Sequence, residues 1–371
     1  MAALEREDAF RKIFRLYRRR NTSELSGVIH FRPGNSAVKC AELRIGALSD
    51  EDARRAGLQP LEQWKGYHLE GYPGFLFISN PFLPSWQHRW VRQCLKFYPR
   101  KPNVCNLDLH MSPDQTGDLW SSSHNQLRNK SGQKHQEKSL LEKLRWVTLG
   151  FHYNWSTKKY YKQNYTPFPA DLAELSRCVG LACGFSNFKA EAGILNYYHM
   201  DSSLGIHVDE AELDHHSPLL SFSFGQSSIF LLGGRSREAE PTAMMMHSGD
   251  IMVMSGASRL LYHAVPRILR HPEGGLLPPD LSHPPTDKDP GAHPLTEPCS
   301  PQDWEVCSAY LQNSRINMTI RQVLQEGACF PEDTGADTDQ ITAQASYHQE
   351  GSETEQEAKR VRTASDTPGE K

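Results

Sequence analysis

Residues 205–212 read GIHVDEAE, which sets His207 and Asp209 two apart inside an apolar stretch. In a strand, alternate side chains share a face. Both residues would then project together while Ile206 and Val208 pack the other way. Imidazole and carboxylate are a pair that first-row transition metals accept, and a third ligand has to come from another strand. The best candidate is His263 in SGASRLLYHAVPR (255–267), on a later strand that would return across the fold. Two histidines and one carboxylate make a facial triad that suits Fe(II), because it leaves adjacent positions open for a co-substrate and O2. A lone His-x-Asp pair is more often structural or surface material than a ligand pair, so the assignment needs independent support.

That support lies at 315–321, RINMTIR. With period two, Arg315, Asn317, Thr319 and Arg321 line one face, and Ile316, Met318 and Ile320 line the other. Guanidinium groups on a strand whose reverse side is apolar suit a carboxylate, which they can grip through two parallel hydrogen bonds. A dicarboxylate with one end on iron and the other on Arg315 is the expected occupant. In LNYY (195–198), Asn196 and Tyr198 share a face and can add hydrogen bonds to it. The competing reading of the arginines is a surface ion-pair strip, which is disfavoured because no acidic partner strand is evident.

The elements that must carry these residues begin near 190, where the apolar period becomes two. AGILNYYHM, LGIHVDE, PLLSFSFGQSSIFLLGG, PTAMMMHSGDIMVMSG, SRLLYHAVPRI and RINMTIRQVL read as successive short strands separated by Gly, Pro or Ser. Strands at this spacing predict a two-sheet sandwich or jelly roll, with helices before it, so the fold class is α+β. Upstream, GFLFISN (74–80) predicts a supporting strand and SWQHRWVRQCLKFY (85–98) a helix with Pro84 in its first turn. EREDAFRKIFRLYRRR spaces Phe10, Ile13, Phe14 and Tyr17 as an amphipathic helix. Its arginines resemble a mitochondrial leader, although Glu5, Glu7 and Asp8 are wrong for one, and a helix docked on the domain is at least as good a reading. The organisation is therefore an N-terminal helix and extension (1–70), a lid with supporting helices (71–189), a jelly-roll core (190–330) and an acidic tail (331–371). A proline-rich insert (270–302) interrupts the core, 21–66 is weakly patterned, and the polar, lysine-rich 112–145 reads as a surface excursion.

The chain has 371 residues, 38% of them hydrophobic, enough for a substantial core. The mean hydropathy of −0.61 points to segments that do not pack. No run reaches the roughly 18 apolar residues needed to span a membrane. Eight scattered cysteines without a CxxC pair exclude a disulfide framework and a cysteine zinc site, and fit a reducing compartment. The net charge of −3 hides an asymmetry. Residues 331–371 hold ten acids and four bases, which predicts disorder, whereas 86–165 hold fourteen Lys and Arg against five Asp and Glu. So basic a region points to a polyanionic partner, with a solvated basic face as the blander reading. Within it, WVTLGFHYNWSTKKYYKQNY (146–165) interleaves Tyr153, Trp155, Tyr160 and Tyr161 with Lys158, Lys159 and Lys162. Aromatic rings among cations are what unpaired nucleic acid requires. Trp120 is a further stacking candidate, while Trp146 and Phe151 are expected in the core.

In order and spacing, N-x-Y (196–198), HxD (207–209), GDIMVMSGASRLLYH (249–263) and RxNxTxR (315–321) resemble the AlkB family of Fe(II)/2-oxoglutarate nucleic-acid dioxygenases. The resemblance covers roughly 71–330, and EKLRWVTLGFHYNW (142–155), LNYY, LGIHVD and PLLSFSFGQS are closest to the homologue-1 subfamily. It implies a double-stranded β-helix core, with His207, Asp209 and His263 as iron ligands. Asn196, Tyr198, Arg315, Asn317 and Arg321 are then 2-oxoglutarate contacts, Thr319 lies among them, and Arg237 faces the substrate. The implied chemistry is oxidation of methyl groups on bases that are flipped out or unpaired. The subfamily implies tRNA first, through 1-methyladenosine and 5-methylcytosine, and N6-methyladenine in unpaired or bulged DNA second. One departure stands out. Where the bacterial family member has an acidic residue two after the HxD aspartate, this chain has Ala211, so base recognition does not carry over. A protein or histone hydroxylase on the same fold, and abasic-site cleavage by a lysine such as Lys158, remain alternatives. No obligate protein partner is inferred. The N-terminal arginines and the resemblance together imply mitochondrion and nucleus, with cytoplasm as an alternative. KRVR (359–362) is a candidate nuclear signal.

Overall fold

The computed structural model describes residues 8–19, 25–84, 86–128, 138–271 and 293–331. Most of the proline-rich insert, the acidic tail and KRVR lie outside the described residues. Among the described residues, thirteen strands form two antiparallel sheets. In chain order they are β1 (Val38–Cys40), β2 (Lys65–Leu69), β3 (Phe75–Ser79), β4 (Val104–Cys105), β5 (Trp146–Gly150), β6 (Ala192–His199) and β7 (Leu204–His207). β8 (Leu219–Gly225), β9 (Ser227–Leu232), β10 (Thr242–Met246), β11 (Ile251–Met254), β12 (His263–Leu269) and β13 (Ser314–Arg321) follow. The large sheet runs β1-β2-β3-β11-β8-β13-β6-β5-β4 and the small one β10-β9-β12-β7.

The α-helices among the described residues are α1 (Ala9–Arg18), α2 (Asp50–Arg55), α3 (Trp86–Arg92), α4 (Pro113–Thr116), α5 (Leu119–Arg128), α6 (Leu140–Lys143), α7 (Ala170–Ala182) and α8 (Pro301–Leu311). α3 runs on into a π-helical turn over Gln93–Phe97. Between the sheets, Phe75, Phe77, Leu219, Met252 and Met254 meet Phe230, Leu232, Met244, Met246 and Val265. The other face of the large sheet presents Leu220, Phe222, Phe224, Ile316, Met318 and Ile320 to Trp90, Leu172, Leu175, Val179 and Trp304 of the helices. Both faces of the large sheet are therefore covered. β11 (IMVM) accordingly reads as an unbroken apolar run, whereas β8 and β13 alternate, with Ser221, Ser223, Arg315, Asn317 and Thr319 on the face away from the helices.

Two of those runs hide chain reversals. PLLSFSFGQSSIFLLGG is β8 in the large sheet and β9 in the small one, with the crossing at Gly225. Gly225 has φ +84°, and a Cβ there would meet the Ser314 carbonyl at 2.6 Å. PTAMMMHSGDIMVMSG likewise splits into β10 and β11, turning at Gly249 (φ +86°). β12 does not cross to the opposite sheet from β7. It pairs directly with it, in the same sheet.

The N-terminal helix is where the spacing predicts it. The Asp8 side chain caps it, accepting from Arg11 N at 2.7 Å. Phe10, Phe14 and Tyr17 pack on the outer face of the small sheet against Ile229, Leu231, Met245 and Ala264. It is thus a docked helix. Residues 38–69 do not stand apart as an extension, since β1 and β2 complete one edge of the large sheet. Nor is 112–145 only a surface excursion. Its described parts include α4, α5 and α6, whose Leu119, Trp120 and Leu141 are buried in the main core. No helix among the described residues is long and apolar enough to cross a membrane.

Candidate metal centre

β7 is the edge strand of the small sheet, and His207 lies directly opposite His263 of β12. Asp209 follows just beyond the strand end. The His207 Nε2 atom lies 3.9 Å from one carboxylate oxygen of Asp209, and the His263 Nε2 atom lies 3.6 Å from the other. One ligand atom from each of the three residues falls within 4.8 Å of the others. Each imidazole has its Nδ1 against a main-chain carbonyl, Gly205 at 2.9 Å for His207 and Leu261 at 3.0 Å for His263. A carbonyl only accepts, so Nδ1 carries the proton and the Nε2 lone pair points at the common centre. Burial, with the neighbouring His263, pushes the His207 imidazole down to about 4 and keeps it neutral at ordinary pH. Burial alone would raise the Asp209 carboxyl, but Arg321 and the two histidines outweigh it and hold the group well below its usual range. The donors are therefore ready for a divalent ion.

The co-substrate side passes a stringent test of fit. Arg315 is 3% exposed and donates to Ser223 Oγ at 2.9 Å, and its guanidinium stands 5.3 Å from the Tyr198 ring. Arg315 Nε and Nη1, and Arg321 Nη1, are buried without a hydrogen-bond partner among the described residues. Leaving such atoms unmatched costs on the order of 1–3 kcal/mol each. A dicarboxylate between Arg315 and the triad would satisfy them. A cavity of about 240 Å³ opens nearby, lined among others by Trp146, Asn196, Tyr198, Arg145 and His110.

Other expected contacts sit differently. The Asn317 amide already donates to Ser221 Oγ at 2.8 Å and to the Phe222 carbonyl at 3.0 Å, and its oxygen accepts from Thr319 at 3.1 Å. Asn317 thus braces β13 against β8, and Thr319 holds the Asn317 side chain. Arg321 does have acidic partners, contrary to the expectation, because Asp209 and Glu212 come from the loop after β7 rather than from a strand. Arg237, in the loop between β9 and β10, spends its guanidinium on Asp8 at 2.6 Å and so clamps α1. Trp120 lies in the helix-covered core with the Lys96 ammonium 5.3 Å from its ring, away from the space between the sheets.

Tyr153, Trp155 and Tyr160 form a chain of edge contacts at 4.7 and 5.5 Å that continues to Trp146 at 5.4 Å. Trp146 is buried as expected and also lines the cavity, whereas Phe151 is only half-buried, against Tyr165 and Phe330. Lys158 and Lys159 are exposed at the tip of a turn made by Asn154, whose side chain accepts from Ser156 N and Thr157 N. Tyr161 is half-buried beside them and Lys162 is exposed. Glu212 and Arg259, 4% and 2% exposed, were missed in the sequence. The signal was there in the second acid after HxD and in the arginine of SGASR, but nothing in the spacing links them.

Residues 74–321 match the model of the 2OG-Fe(II) oxygenase superfamily. The chain is 58% identical over 342 residues to the nucleic acid dioxygenase ALKBH1 of Mus musculus, covering 89% of this chain and 88% of that protein. It is 31% identical over 285 residues to the DNA N(6)-methyladenine demethylase ALKBH1A of Arabidopsis thaliana, covering 69% and 76%. To the tRNA demethylase abh1 of Schizosaccharomyces pombe it is 32% identical over 256 residues, covering 64% and 85%. With the motifs in the order described and the triad assembled on the small sheet, the chain belongs to the 2OG-Fe(II) oxygenase superfamily, in the AlkB branch that contains ALKBH1.

Proposed function

We propose that the protein oxidises methyl groups on nucleic-acid bases, with tRNA as first substrate and unpaired or bulged DNA as second. The observation that carries this reading is the aromatic and cationic segment 146–165, whose ring chain starts at the cavity wall and whose Tyr160 hydroxyl bonds Glu212, three residues past the metal ligand Asp209. Fe(II), 2-oxoglutarate and O2 together supply the oxidant that hydroxylates a C–H bond, with succinate and CO2 as co-products. The chain's own groups do the positioning. His207, Asp209 and His263 would hold the metal, Arg315 and Tyr198 would receive the far carboxylate, and Asn196 lines the neighbouring cavity. The half-buried rings of Tyr153 and Trp155 offer stacking faces, and Lys158, Lys159 and Lys162 face the phosphates. A base must leave its stack to enter such a site, which costs a few kcal/mol in a duplex and less in a loop. That difference favours tRNA. Two relatives point the same two ways, one named for tRNA and one for DNA N6-methyladenine. A hydroxylated N-methyl group is lost as formaldehyde, whereas a hydroxylated C-methyl group stays on the base.

The test is turnover with Fe(II), 2-oxoglutarate and either bulk tRNA or bulged methylated DNA, read by nucleoside mass spectrometry. The proposal expects 1-methyladenosine or 5-methylcytosine to fall in tRNA faster than N6-methyladenine falls in DNA. Succinate formed without loss of any methylated base would overturn it and direct attention to a protein substrate.

A further inference from the structure

Glu212 has 2% of its side chain exposed and is gripped by three groups. Arg259 Nη2 donates to it at 2.8 Å, Arg321 Nε stands 3.1 Å from it, and the Tyr160 hydroxyl donates at 3.2 Å. The same two arginines also hold Asp209. Arg321 Nη2 lies 3.0 Å from the Asp209 carboxylate, and Arg259 Nη1 donates to the Asp209 main-chain carbonyl at 2.6 Å. Two acids and two bases thus close a buried, charge-balanced ring in which only Asp209 is a metal ligand.

The ring contains a competition. A carboxylate that ligates a metal cannot also give itself wholly to a guanidinium, and Arg321 Nη2 sits on the Asp209 oxygen that also faces His263. Glu212 takes the other edge of Arg321 and balances the charge of Arg259. Without it, the full charge of Arg321 would fall on Asp209. Arg259 would then stand 2% exposed with no acid beside it. Both changes make the site more positive where a divalent cation has to bind, and buried charges are weakly screened.

We infer that Glu212 is a positioning residue of the metal centre: by sharing Arg321 with Asp209 and neutralising Arg259, it leaves the Asp209 carboxylate available to the metal. This rests on the metal-centre reading above. Neither Glu212 nor Arg259 belongs to the cluster that could hold the metal, and Tyr160 ties the aromatic segment to the same ring.

The experiment titrates metal-free protein with Co(II), which needs no turnover, following both affinity and the visible spectrum of the bound ion. Glu212→Gln is expected to weaken Co(II) about tenfold, which is about 1.4 kcal/mol. Adding Arg321→Gln to Glu212→Gln removes the competitor and should recover a large part of that loss, which a merely structural Glu212 would not allow. An unchanged Co(II) affinity in Glu212→Gln, or a double variant no tighter than the single one, overturns the inference. Should Glu212→Gln fail to fold, Glu212→Asp keeps the charge and shortens its reach. Weakened Co(II) binding there supports the inference, and wild-type affinity overturns it. If the wild-type protein itself binds no Co(II) at the triad, the metal-centre reading fails first, and the inference with it.

Discussion

Replacing Arg315 with methionine should weaken 2-oxoglutarate binding and, at the same time, stabilise the ligand-free protein. Arg315 is 3% exposed and donates through Nη2 to Ser223, while Nε and Nη1 have no partner among the described residues. Burial pulls its pKa down, against the opposing pull of Tyr198 and Asp250, so its charge is costly until a carboxylate arrives. Two charge-assisted hydrogen bonds are together worth about 3–4 kcal/mol, which is roughly a hundred- to thousandfold rise in the KM for 2-oxoglutarate. Exchanging a poorly paired buried ion for an apolar side chain gains about 1–4 kcal/mol. Loss of the Ser223 bond and the Tyr198 contact offsets about 1–2 kcal/mol of that. The ligand-free variant should therefore melt a few degrees higher, at about 2–4 °C per kcal/mol. Thermal melts with and without 2-oxoglutarate, together with succinate kinetics, give both numbers. A variant that melts lower and keeps its 2-oxoglutarate KM within about threefold would refute the reasoning.

Three more outcomes are expected. Phe10 is fully buried under the small sheet, so Phe10→Ala should cost about 3–5 kcal/mol of stability, read as a lower urea midpoint; an unchanged midpoint would mean that α1 is not docked. Burial holds His152, His207 and His247 down to about 4, below the unfolded value of 6.5, so the folded state binds fewer protons between those limits. Stability should be lost as pH falls through that window. Asp250, pushed up to about 7 by burial, acts the opposite way and softens the fall. Urea midpoints at about pH 7 and about pH 5 test the sign, and an equal or higher midpoint at the lower pH contradicts it. Neutralising the exposed Lys158 and Lys159 as glutamines should weaken tRNA binding and reduce the salt slope by about 1–2; an unchanged slope removes them from the phosphate-facing set.

The cluster of His207, Asp209 and His263 was legible because its members sit at strand spacings that the chain itself displays, HxD at one strand and a histidine on a partner. RINMTIR was legible for a similar reason, since a polar face opposite a wholly apolar one has few uses. The seams of β8/β9 and β10/β11 were not. Strands buried on both faces lose the alternation that marks their ends, and only a glycine at positive φ betrays each crossing. The pairing of Arg237 with Asp8 was not legible because it joins positions more than two hundred residues apart. Trp120 misled because an aromatic in a lysine-rich stretch looks exposed until α5 turns it inward. The ring of Glu212, Arg259, Arg321 and Asp209 was invisible for the same reason of distance: it is assembled by the fold from three separate segments.

The central claim is that His207, Asp209 and His263 together hold one iron. The most direct measurement is an iron anomalous difference map from crystals grown anaerobically with Fe(II) and 2-oxoglutarate. A single strong peak is expected between the two Nε2 atoms and the Asp209 carboxylate, with co-substrate density reaching towards Arg315. A peak elsewhere, or none at the triad in crystals whose iron content is stoichiometric, would contradict it.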